Sequence, residues 1–416
     1  MKRNIWLWLG IFLILLNIAL IINDYKVSGW DFNIYHAAVK TYASGENPYS
    51  VINLQKHLGK RRYHYPFLYP PITLGFFNIL HTMVSYCNQI ASPKAYYYFL
   101  WCVLLAAVFL IIRKANATFN PLFLIILLFT GFISAYWNFL TGNIGIVELF
   151  FFSLVFYYIT KKNNYLSAFF LAIIGIIKII PLIFGSLFAF SKQSKAQKAR
   201  IFGGLASLFM ASNIISYAMD PKLFVQYYKF MIRRLSIFYN PLKEVGEYRS
   251  PAIFLYIKEI TNHFFNGNLT MFFAQYFLLL CIIFVLFTLY LRKRERSFLD
   301  IYSFGMLALI IILPRMKPYS FTLALLPIYF LVKDQNWERK LWTIIIVSGM
   351  PLISYWAIKT SHNQGFLRFM EYGQSLSLLV FYVLYFVNDC ISRAVSPQLC
   401  KKPIENVQDE LVETKI

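Results

Sequence analysis

The chain has 416 residues, of which 59% are hydrophobic and only 14% charged. A soluble domain carries nearer a quarter charged residues, so an ordinary water-soluble enzyme is excluded. The net charge of +22 does not point to nucleic acid, because the basic residues cluster in short loops between apolar runs, as the positive-inside bias requires.

Long apolar runs such as Ile5–Ile22, Leu122–Trp137, Leu269–Leu291 and Leu376–Val387 imply membrane-spanning helices, which satisfy every backbone group within lipid. The runs are continuous rather than alternating, which excludes a β-barrel. The expected fold is an all-α polytopic membrane protein with about 10–12 transmembrane helices. Cys87, Cys102, Cys281, Cys390 and Cys400 form no CxxC pair, so neither zinc nor a disulfide framework is indicated.

Met1-Lys2-Arg3 precedes the first run and predicts a cytoplasmic N-terminus. No small-residue cleavage site follows Ile22, so the first helix is read as uncleaved. Residues 23–66 then form an outer loop. Within it Ile34, Tyr35, Ala38, Val39 and Tyr42 fall at helical spacing, which predicts a short interfacial helix that needs docking to be stable. Gly45 suits its stop and Pro48 opens a new element.

Further spans are expected near 67–86, 96–112, 121–137, 143–160, 165–190, 201–218, 269–291, 298–313, 321–332, 341–358 and 375–390. The stretch 113–190 resists a simple alternation, since twelve spans with both termini inside would leave Arg113-Lys114 and Lys161-Lys162 outside. Half-helices around Lys178 would repair part of the conflict. Residues 1–391 form one membrane domain with a second outer loop at 219–268, and 392–416 read as a polar cytoplasmic tail.

Acidic residues number only 18, which makes each outer one informative. Asp31 precedes the loop helix and has two compatible readings: a helix N-cap, or a general base kept ionised by the helix terminus. Asp24 is its rival. In the second outer loop Lys229 lies about one turn from Arg233 and Arg234, which suits a phosphate clamp, or simply contact with anionic lipid. Lys178 and Glu148 are charged residues inside apolar runs, where such groups are costly and either functional or mutually paired. The six histidines show no HExxH pairing, and no Walker loop or GxGxxG unit is present. A metal site and a soluble nucleotide-sugar domain are therefore not expected, and an enzyme working on the outer face needs its donor on a lipid.

Asp31 in WDFNIYHAA, then Gly45, Pro48 and Tyr49, then Tyr69-Pro70-Pro71 resemble the polyprenyl-phosphate-mannose-dependent mannosyltransferases of the GT-C superfamily, in the alpha-1,2-mannosyltransferase branch. Gly142-Asn143 resembles a Gly-Gln element, Lys178 with Pro181 a Lys-x-x-Pro signature, and Arg249-Ser250 stands near an Asn-x-Ser element. The likeness runs from about residue 5 to 330. It implies an inverting transfer with Asp31 as catalytic residue, no cofactor beyond the polyprenyl-phosphate sugar donor, and no metal. Many members place a His in the segment here reading Pro314–Ser320, which has none.

The resulting expectation is a multi-pass enzyme of a bacterial inner membrane, its site on the outer face. It moves a sugar, by the resemblance mannose, from the lipid carrier to a lipid- or glycan-linked hydroxyl. The donor-phosphate candidates are Lys178, Lys229, Arg233, Arg234 and Arg249. Tyr35, His36, Tyr49 and Tyr69 are candidates to line the acceptor. The expected partners are membrane lipids, the lipid-linked donor and a glycan or glycolipid acceptor, without nucleic acid. A lipid-sugar flippase and a ligase using a lipid-pyrophosphate donor are the competing classes; the first would favour internal repeats, which the sequence lacks.

Overall fold

In the computed structural model the described residues are 2–23, 29–58, 66–87, 93–116, 118–235, 252–292, 296–314, 316–360 and 372–395, and no strand occurs among them. The helices in chain order are α1 (Lys2–Asn23), α2 (Trp30–Ala43), α3 (Val51–His57), α4 (Thr73–Cys87), α5 (Pro93–Ala115), α6 (Pro121–Thr130), α7 (Ser134–Thr141), α8 (Gly145–Thr160) and α9 (Asn164–Ile177). They continue as α10 (Lys195–Met219), α11 (Pro221–Leu235), α12 (Ile253–Phe264), α13 (Leu269–Arg292), α14 (Phe298–Ile312), α15 (Thr322–Val332), α16 (Trp337–Ile344), α17 (Met350–Thr360) and α18 (Gly373–Val395).

Among the described residues five stretches are long and apolar enough to cross a membrane: Ala95–Ala115, Pro121–Thr141, Lys195–Met219, Leu269–Arg292 and Gly373–Ile391. Shorter apolar segments, among them α8, α9, α14 and Pro318–Val332, pack between them. This is the all-α polytopic membrane protein that the composition requires.

Ring contacts fix which helix ends share a face. Near Asp31, Phe32 meets Tyr97 at the start of α5 (4.4 Å between centroids), and Tyr49 meets Tyr227 of α11 (5.3 Å). On the opposite face Thr118 donates to Asp334 at 2.5 Å, the ring of Phe156 stacks on Phe330 near the end of α15, and Arg296 pairs with Asp389.

The expected span at 67–86 does not cross. Instead α4 lies alongside α2, with Phe77 stacked on Tyr35 at 4.3 Å and His81 paired with His36. It covers the loop helix that could not be stable alone. Because α5 starts again at the Asp31 face, Arg113-Lys114 arrive on the opposite one.

The expected single span at 165–190 is two half-length segments. α9 ends at Ile177, Lys178 takes an extended conformation, and a 3-10 helix over Ile180–Phe190 turns back. Lys178 bonds Glu148 near the start of α8, whereas Phe188 packs on Phe298 near the far end. Lys161-Lys162 and Lys192–Arg200 thus also fall on the far face. The charge conflict disappears.

The α6–α7 pair is bent at Phe132 and Ile133, both with positive φ (51° and 53°). The bend frees a buried carbonyl, which Gln374 of α18 satisfies by donating its amide to Phe132 O at 2.6 Å. Irregular backbone at this depth is tolerated only with such a partner. The bend directs α7 to the turn that carries Thr141 and Asn143.

Candidate active site

Asp31 is not the cap of α2. Gly29 holds that position in a left-handed conformation (φ 88°), and its N–H donates to Leu140 O at 2.7 Å. This stitches the start of α2 to the end of α7. Gly142 completes the contact: its φ is 70°, and an added Cβ would lie 2.8 Å from Phe32 Cβ. Only glycine meets both demands without strain. The turn is thereby held against the first turn of α2, where Asp31 sits.

The Asn143 amide donates to Asp31 Oδ2 at 2.8 Å and reaches the Tyr35 hydroxyl at 3.2 Å. Its own carbonyl accepts from Gly145 N at 3.1 Å, which fixes which end of the amide faces the carboxylate. The Tyr35 and Tyr69 hydroxyls are 2.9 Å apart, and Tyr49 OH donates to Tyr69 O at 3.0 Å. Above all, burial holds the Tyr35 and Tyr69 phenols well above their ordinary range, so both stay protonated.

Burial pushes the Asp31 carboxyl up to about 6, against the opposing pull of Asn143, Lys317, Thr141 and Lys178. A carboxyl with this value is ionised at neutral pH and still basic enough to accept a proton in a reaction. Asp31 retains partial exposure, so a substrate hydroxyl can approach it.

Two cations thus act on Asp31. Lys317 stands in the short connection before the Pro318–Phe321 turn. Lys178 Nζ bonds Glu148 Oε1 at 2.9 Å and lies 5.4 Å from the centroid of the Tyr319 ring. Lys178 and Glu148, read in the sequence as either functional or mutually paired, are paired.

Of the other expected site residues, Tyr35, Tyr49 and Tyr69 join one hydrogen-bonded and aromatic cluster with Asp31. His36 points instead to His81, with its ring edge on Phe32 at 4.1 Å. Burial, then His81 and Lys40, lower its pKa to about 3 and keep it neutral. Lys229 is exposed on α11, whose Tyr227 and Phe230 rings turn to Tyr49 of the loop. The side chains of Arg233 and Arg234, together with Asp24 and Arg249, lie outside the described residues. Among the described residues no three His, Cys, Asp or Glu side chains gather as a metal site.

Sequence reasoning missed Asn143, Thr141 and Lys317 as site residues. Nothing in their local pattern marks them. Asn143 had only a dipeptide likeness, and Lys317 was one more cation in a basic chain.

Residues 67–314, well over half of the 416, match the family model Glycosyltransferase family 87. The match takes in Tyr69, Asn143, Glu148 and Lys178, begins after Asp31 and ends just before Lys317. No curated protein matches the chain.

Proposed function

The chain belongs to glycosyltransferase family 87, and on that premise we propose that it transfers mannose, with inversion, from a polyprenyl-phosphate carrier to a hydroxyl of a lipid- or glycan-linked acceptor. The observation that carries this reading is a single carboxylate, Asp31, oriented by Asn143 and facing two lysine charges. The acceptor oxygen attacks the anomeric carbon while Asp31 takes its proton. The bond from that carbon to the phosphate oxygen breaks, and the phosphate leaves with the electron pair. Lys178 and Lys317 neutralise the charge that grows on it.

One base and two cations suffice for this chemistry because a polyprenyl phosphate is already a good leaving group. A glycosidase needs two carboxyl groups flanking the bond. Among the described residues Glu148 is a second carboxylate near the site, and it is engaged by Lys178 and 1% exposed. Arg113-Lys114, Lys161-Lys162, Lys192–Arg200, Arg292 and Arg296 share the face opposite Asp31, and the positive-inside bias makes that face cytoplasmic. We therefore propose that the reaction runs on the outer surface of a bacterial inner membrane.

The test is incubation of purified protein with radiolabelled polyprenyl-phosphate mannose and a membrane lipid extract. Label should pass to an acceptor lipid or glycan, and Asp31→Asn should abolish the transfer. Transfer only from a pyrophosphate-linked donor would assign the protein to the ligase class instead.

A further inference from the structure

We infer that Glu148 is a positioning residue for the transfer step: it fixes the ammonium of Lys178 at the rim of the Asp31 site. This inference rests on the proposed donor, whose phosphate Lys178 would meet. Glu148 is the fourth residue of α8, and that helix begins two residues after Asn143. The same short stretch therefore supplies both the amide that orients the base and the carboxylate that holds the cation.

The geometry is asymmetric. The Glu148 side chain is 1% exposed and that of Lys178 is 22% exposed, so the acid is sealed in the bundle while the base leans outward. Lys178 can do so because it belongs to no helix: its backbone is extended (φ −147°, ψ 116°) at the break between α9 and the returning 3-10 segment. Its ammonium donates one hydrogen bond to Glu148 Oε1 and lies over the Tyr319 ring, and its charge acts on Asp31. Glu148 Oε2 meets no donor among the described residues, so the carboxylate has no other evident task.

A purely structural ion pair is the competing explanation. Buried pairs are often replaced by neutral residues at no loss of stability, whereas removing one partner alone is costly because a charge is left without compensation. Breaking the pair and deleting it whole therefore separate the two roles. In Glu148→Gln the ammonium loses its anchor. In the double variant Glu148→Gln with Lys178→Met no uncompensated charge remains, so the fold is relieved but the cation is gone.

The experiment measures thermal stability and the binding of sugar-free polyprenyl phosphate to full-length protein in detergent. Wild type should bind. Glu148→Gln should bind about tenfold more weakly, the loss of one well-placed charged contact, and melt lower. The double variant should regain stability but not affinity. Recovery of affinity together with stability would make the pair structural only and overturn the inference, as would unchanged affinity in both variants, while leaving the donor assignment intact. Failure of wild type to bind polyprenyl phosphate would overturn the donor assignment and this inference with it.

Discussion

The amide nitrogen of Asn143 stands 2.8 Å from Asp31 Oδ2, although the two residues are 112 positions apart in the chain. That bond joins the loop helix after the first span to the turn between α7 and α8. It gives the carboxylate one orientation and stabilises its charged form.

Replacing Asp31 with Asn keeps the shape of the side chain but removes its basicity. Turnover should fall at least about 100-fold, the lower end for loss of a general base, with expression and donor binding near normal. Asp24→Asn is the control and should be mild. Full activity in Asp31→Asn would reduce Asp31 to a structural role; loss in Asp24→Asn alone would move the base to Asp24.

If Asp31 is the base, as proposed, its raised pKa should set the acid limb of the pH profile. The base works when ionised, so the rate should fall as pH drops through about 6. At one unit below, about a tenth of the carboxyl remains charged. Asn143→Leu removes a hydrogen bond to the charged form. The pKa then climbs, and the limb should move by up to about one unit toward higher pH. A limb that stays put in this variant would separate it from Asp31.

Much of the architecture was legible because apolar runs must be helices in lipid. The loop helix was also legible, from the spacing of Ile34, Tyr35, Ala38 and Val39. The half-helices expected around Lys178 are present, whereas the span expected at α4 is not, because hydropathy records that a segment is apolar, not whether it covers a neighbour. The charge conflict at Arg113 and Lys161 was the signal that something there was wrong. Asp31 stood out because acids are scarce, whereas Lys317 and Asn143 owe their place to tertiary packing that no local pattern encodes. The same limit explains why Lys229 looked equal to Lys178.

Lys317→Gln should therefore weaken the rate with the charged donor by about tenfold or more if the site is dry. Lys229→Gln, at an exposed position of α11, should cost little. The comparison is made on expressed, monodisperse protein at one salt concentration, since exposed charges are screened. Equal losses would restore the α11 clamp that the sequence favoured.

Sidedness can be read with cysteines placed at Ser44 and Lys162, both exposed. Ser44 ends the loop helix near the Asp31 face, and Lys162 lies in the turn after α8. An impermeant thiol reagent should label the first in intact cells and the second only after lysis. Labelling of both in intact cells would contradict the alternation of the helices, and labelling of Lys162 alone would put the site inside.

Gly142 offers a test of the turn itself. Alanine there must adopt a φ of 70° and place its Cβ 2.8 Å from Phe32 Cβ. The left-handed conformation and the contact together should cost about 1–3 kcal/mol. Relief requires the turn to draw back from α2, which lengthens the bond from Asn143 to Asp31. Gly142→Ala should thus lower both melting temperature and turnover, and shift the acid limb upward as Asn143→Leu does. A variant that melts lower but keeps the wild-type pH profile would show that the turn supports the fold without orienting the base.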